Sequence, residues 1–129
     1  MSLRPSLILA AAAAAALTAT AAQASPGHDN CFLGRDWGSW TAPGDGDALL
    51  IRAGIRDVYR IELTPGSHVR KFGDTFLINK ERGSSWICSP LDLDLQVSDH
   101  AGFRQPLIAR SIRKLTPLEV AALPKKDRP

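Results

Sequence analysis

The sequence predicts an all-β domain, mainly antiparallel and built as a small sandwich or partly open barrel, with a short C-terminal helix. Three observations carry this expectation. Apolar residues recur in short runs or with a period of two, turn residues punctuate them, and only one stretch has helix-start chemistry. Residues 25–30 are polar and predict a loose lead-in, so order begins near Cys31. Ala48-Leu49-Leu50-Ile51-Arg52 is an apolar strand, and Gly54-Ile55-Arg56-Asp57 supplies a turn. In Val58-Tyr59-Arg60-Ile61-Glu62-Leu63, Tyr59, Ile61 and Leu63 alternate against Arg60 and Glu62, which sets them on one face of the returning strand. Thr64-Pro65-Gly66-Ser67 ends this hairpin.

Residues 75–79 and 86–88 predict two further short strands. Leu91-Asp92-Leu93-Asp94-Leu95-Gln96-Val97 alternates strictly, which predicts a strand with four apolar side chains in the core and both aspartates in solvent. Residues 107–114 read as one mixed strand, with Pro106 where a strand can begin. Thr116-Pro117-Leu118-Glu119 is a capping box with proline at the first helical position, and the helix should run to Leu123 before Pro124.

The chain's beginning predicts export. Arg4 is followed by an apolar run from Leu7 to Leu17 and then by Ala22-Gln23-Ala24, small residues at the positions a signal peptidase reads. Residues 1–24 are thus a signal peptide, 25–30 a flexible segment, 31–123 a small disulfide-linked β domain and 124–129 a basic tail. The apolar run is short and alanine-rich for a stable span, so the alternative of an uncleaved anchor is set aside, and no later segment approaches membrane length. No lipoprotein-type cysteine stands at the cleavage point. A periplasmic or secreted location in a Gram-negative bacterium follows.

Two cysteines in an exported chain predict one disulfide, Cys31–Cys88. Closing so long a loop is worth up to about 4 kcal/mol. The spacing excludes a dithiol redox motif, and two distant cysteines are too few ligands for a zinc site. Loss of Arg4 with the leader lowers the formal charge from +3 to +2. The distribution is uneven: from Gly102 onward seven Lys/Arg face two acids. This basic quarter reads as a solvated surface with a frayed end at residues 125–129. Attraction to anionic envelope polymers or lipid headgroups is the sharper alternative, but the cations lack interleaved aromatic groups. No nucleic-acid partner and no cofactor are expected.

Few residues suggest chemistry. Asp92 and Asp94, with Asp99 and His100 beyond them, could ligate a divalent metal, but the spacing matches no calcium loop and wet-face aspartates also guard strand edges. Asp45 and Asp47 lie in a Pro-Gly-Asp-Gly-Asp stretch that is turn chemistry. His28 would be fourth after cleavage, behind Pro26, which rules out amino-terminal copper or nickel capture. His68 and His100 lie in polar turns without a triad setting. Trp37, Trp40 and Trp86 could stack on a sugar, although large aromatics in small β domains more commonly fill the core, Trp86 against the disulfide.

Taken in order, Cys31, Trp40, Leu49-Leu50-Ile51, Val58-Tyr59-Arg60-Ile61-Glu62-Leu63, Ile87-Cys88-Ser89 and Arg110-Ser111-Ile112-Arg113-Lys114-Leu115 resemble an uncharacterised family of small exported Gram-negative proteins, a domain of unknown function. The resemblance covers residues 31–115. It implies a pattern that often has four cysteines; here His68 stands near the second position and Ala109 near the fourth, which leaves Cys31 and Cys88 as the one remaining bridge. It implies no activity, substrate or catalytic residue.

The functional expectation is a non-enzymatic exported protein that binds or supports an envelope or extracellular partner. One rival is a periplasmic inhibitor of a hydrolase, although a mildly basic protein suits a basic lysozyme poorly. Another is a small enzyme using His68 or His100. N-terminal sequencing of exported material should begin at Ser25; a membrane-bound species retaining Arg4 would refute the cleaved leader.

Overall fold

The computed structural model of the chain describes residues 30–69, 74–80 and 86–129. Residues 1–29, which include the predicted leader and His28, lie outside the described residues. Nine strands are described: β1 (Phe32–Leu33), β2 (Trp37–Thr41), β3 (Ala48–Ala53), β4 (Asp57–Leu63), β5 (Thr75–Asn79), β6 (Trp86–Ile87), β7 (Leu95–Asp99), β8 (Arg104–Leu107) and β9 (Ala109–Lys114), followed by the helix α1 (Pro117–Ala122). All pairings are antiparallel. They form a four-stranded sheet in the order β2-β3-β4-β9, a three-stranded sheet β5-β7-β8 and the pair β1-β6. The all-β class with one short C-terminal helix is therefore what the chain adopts, and the sheets do not close into a barrel.

The hairpin of β3 and β4 is the centre of the larger sheet. Ala53 pairs with Asp57 across the turn 54–56, and Ala48 pairs with Glu62 at the far end. Leu49, Ile51, Ile61 and Leu63 meet Leu95, Val97 and Leu107 of the smaller sheet in the main core, with Ala42 and Val69 between. On the opposite face Leu50 and Val58 pack with Leu115, and Val120 and Leu123 of the helical segment cover them. A third cluster of Phe32, Ala53, Tyr59 and Ile87 lies at the end carrying β1 and β6. There Cys31 and Cys88 form the expected disulfide across a sequence separation of 57, with Cα atoms 4.3 Å apart.

The Pro43–Asp47 stretch is indeed a turn, and it is also tied down. The amide of Val69 donates to Gly46 O and that of Leu63 to Asp47 O, each at 2.9 Å. Gly46 has φ +83°, and a Cβ there would lie 2.1 Å from Val69 O, so only glycine fits.

Three expectations are corrected. The alternating run 91–97 is not one strand: Pro90–Asp92 form a 3-10 turn and β7 begins only at Leu95. Ser89 and Asp92 cap that turn reciprocally, which competes successfully with extension. Leu91 is consequently 95% exposed and Leu93 only partly buried, while Leu95 and Val97 are core as expected. Gln96, placed in solvent by the alternation, is buried, as is Ser98 beyond it, because β7 is the middle strand of its sheet.

Residues 107–114 likewise divide. β8 ends at Leu107, Ile108 crosses between sheets, and β9 joins the larger sheet at Ala109. Pro106 sits within β8, an edge strand, where its missing N–H costs no ladder bond. The end of the chain, expected to fray, is docked. Thr41 Oγ1 donates to Asp127 O at 2.7 Å, and Arg52 donates through Nε (2.9 Å) and Nη2 to Pro129 O.

Because Leu95 is buried and Leu91 is not, Leu95→Ala should cost about 2–4 kcal/mol in urea denaturation of the oxidised protein. Leu91→Ala should change it by less than about 0.5 kcal/mol.

Candidate functional site

The site begins with the covering of the β3–β4 face. Thr116 and Glu119 cap α1 reciprocally, as the sequence predicts, with Pro117 at its first turn. Arg113 of β9 reaches both oxygens of Glu119 through Nη1, at 2.8 and 2.9 Å, and pins the helix against the sheet. The Thr116 amide, and after it Arg113, hold the Glu119 carboxyl below its ordinary range. Leu115 is buried beneath, so the chain leaves β9 and turns directly over Leu50 and Val58.

This arrangement leaves a groove of about 680 Å³ between the hairpin turn, the end of β9, α1 and the terminal segment. That lies within the size range of small-molecule sites. Leu115, Pro117, Val120 and Ala121 supply apolar walls, and Arg52, Arg56, Lys114 and Arg128 supply positive charge against one acid, Asp57. Lys114 Nζ pairs with Asp57 Oδ2 at 2.9 Å.

The arginines are held differently. Arg52 is fixed by Pro129 O, and Arg128 donates through Nε to Leu123 O (3.0 Å) and through Nη2 to Ala121 O (2.9 Å). The acceptors of Arg128 are internal carbonyls, which orient a guanidinium without cancelling its charge, and a guanidinium has five N–H donors to distribute. Arg56, exposed at the hairpin turn, has no ion pair among the described residues. Among the lining side chains, four cations therefore stand beside one acid, and Arg128 is pre-oriented. Such a lining attracts an anion, which Arg56 and Arg128 can meet without first giving up an ion pair among the described residues.

The residues singled out from sequence do not converge here. Asp92 Oδ2 accepts from the amides of Cys88 (3.0 Å) and Ser89 (2.9 Å), and these bonds lower its pKa. Asp94 is placed through its backbone, its amide donating to Asn79 Oδ1 at 2.9 Å. Asp99 Oδ1 accepts from the Phe103 amide at 2.8 Å, while the His100 ring lies against Phe76, centroids 5.4 Å apart. Asp92 and Asp94 thus do not share one strand face, and the described residues hold no cluster of three or more metal-ligating side chains. His68 is held through its carbonyl, which accepts from Gln105 Nε2 at 3.0 Å.

Trp37 and Trp40 pack against the main core, Trp37 also 5.9 Å from Phe32 by ring centroids. Trp86, expected in the core beside the disulfide, is 39% exposed, opposite Leu33 in the two-stranded pair. Two-residue strands give a large ring too little sheet to bury it. The groove residues Arg52, Arg56, Lys114 and Arg128 were not distinguishable from solvated surface in the sequence, although the C-terminal excess of Lys/Arg was a partial signal.

Comparison with protein-family models, with curated proteins and with solved structures finds no match.

Asp92 gives a direct test of its role. A carboxyl whose folded pKa is depressed stabilises the fold above its unfolded pKa, and that contribution is lost as pH falls through the folded value. Asp92→Ala should therefore lower stability at neutral pH by about 0.5–1 kcal/mol, allowing for solvent screening of an exposed carboxylate. The difference from wild type should shrink once pH falls below the ordinary value of 3.8. A chelator should leave both proteins unchanged; a stability loss on chelation would restore a metal role.

Proposed function

We propose that the protein is a non-enzymatic binding protein of the Gram-negative cell envelope that holds an anionic partner in the groove between the β3–β4 turn and α1. The observation that carries this reading is the gathering of Arg52, Arg56, Lys114 and Arg128 on one groove beside a single acidic side chain, with Arg128 fixed by internal carbonyls that leave its charge uncancelled. The cations come from three separated parts of the chain and face one groove, with an apolar wall beside them. Neither His68 nor His100 lines it, so the polar groups there suit holding an anion rather than transferring a proton.

An exported location fits the Cys31–Cys88 bridge, since such bonds persist in oxidising compartments. The leader ending at Ala24 and the likeness to small exported proteins belong to the same reading.

The test is titration of a fluorescent polyanion with oxidised protein spanning residues 25–129. Binding should weaken with added salt. Arg56→Glu with Arg128→Glu should lower affinity at least about tenfold, an energy of about 1.4 kcal/mol. Arg110→Glu, a reversal at an exposed position of β9 that does not line the groove, should change it far less. Equal losses for the two variants would mean a diffuse surface effect and refute the groove.

A further inference from the structure

We propose that the groove docks on a membrane surface and takes the headgroups of anionic phospholipids, with Ile55 and Leu118 as apolar anchors on either side. The inference rests on the anion-binding reading and goes further by naming where the anion resides. Ile55 is 87% exposed and Leu118 is 84% exposed. Each adjoins a groove residue in the chain: Ile55 precedes Arg56 at the hairpin turn, and Leu118 follows Pro117 at the start of α1.

Helical geometry places Leu118 about 60° around the axis from Ala121, which lines the groove, so its side chain flanks the opening. On the hairpin side, Ile55 is exposed next to the groove residue Arg56. A hairpin turn is a position where polar residues cost nothing, and an isoleucine there gains no burial within this chain. The same holds for a leucine on the solvent side of a six-residue helix.

Cations with apolar side chains beside them match the two layers of a membrane interface, phosphate outside and acyl chain beneath. A soluble anion would use the cations but leave both anchors in water. A lipid surface uses both sets, and the excess charge of the groove lining is complementary to an anionic leaflet. No helix of the described residues is long and apolar enough to cross a membrane.

The experiment is co-sedimentation of oxidised protein 25–129 with vesicles of phosphatidylcholine alone or in equal parts with phosphatidylglycerol, alongside the polyanion titration. Wild type should partition to the mixed vesicles and not to phosphatidylcholine. Ile55→Ser with Leu118→Ser should lower that partitioning at least about tenfold while leaving polyanion affinity within about twofold. Arg56→Glu with Arg128→Glu should lower both.

Polyanion binding without vesicle binding would overturn the membrane inference and leave the anion reading standing. So would vesicle binding unaffected by the two serines, or complete displacement from vesicles by free glycerol phosphate at the lipid's own concentration. Absence of both kinds of binding would overturn both readings.

Discussion

The β3–β4 hairpin is buried on both faces, and this requirement organises the rest of the chain. Leu49, Ile51 and Ile61 point into the main core, and Leu50 and Val58, on the other side of the same strands, are equally buried. A strand buried on both faces reads as a continuous apolar run, which is the character of Ala48-Leu49-Leu50-Ile51. Two coverings must therefore exist. The three-stranded sheet supplies one, with Leu95, Val97 and Leu107. Among the described residues, the other comes from the chain that follows β9. Leu115, Val120 and Leu123 meet that need, and they draw the basic C-terminal segment onto the protein.

Docking that segment has an electrostatic consequence. Hydrophobic burial of Leu50 and Val58 sets the height of α1 above the sheet, and the cations beside it must share what is left of the opening. Positive charges brought together repel, and solvent and nearby acids screen only part of the repulsion. Asp57 offsets Lys114, and Glu119 offsets Arg113 outside the groove. Arg128 is anchored instead by carbonyls at the end of α1, where the backbone has acceptors to spare, and Arg52 by Pro129 O. The fold thus holds these cations near one another with the hydrophobic contacts of α1.

The two capping boxes show where sequence reading succeeded and where it did not. Thr116-Pro117-Leu118-Glu119 stands out because a helical pattern follows it. Ser89-Pro90-Leu91-Asp92 has the same chemistry at each position and makes the same reciprocal hydrogen bonds, yet it is overlaid on a perfect apolar alternation. Local hydrogen bonding at Ser89 and Asp92, close to the constrained Cys88, outweighed the period of two, and Leu91 went to solvent. The hairpin and the disulfide were legible because each depends on residues near in sequence or on a count of two. The split at Ile108 was not, since a change of sheet leaves no mark in periodicity. The groove was legible least of all. Its residues lie at 52–57, 114–121 and 128, and only the double burial of the hairpin brings them together.

One residue links the oxidised end of the domain to this groove. Tyr59 is buried in the cluster of Phe32, Ala53 and Ile87, and its hydroxyl donates to the carbonyl of Cys31 at 2.9 Å. Burial raises its pKa, and Lys114 and Asp57, both of the groove, are the charges that act on it. Tyr59 also pairs in register with Lys114 across β4 and β9, two residues from Asp57. The Cys31–Cys88 bridge holds the carbonyl that the phenol seeks, and the phenol in turn holds β4 where Asp57 and Lys114 can meet. Since closing that loop contributes up to about 4 kcal/mol, a large part of what a domain of this size possesses, the groove wall is best defined when the bridge is formed. The bridge and the ordering of the cationic groove wall are thus coupled through one phenol.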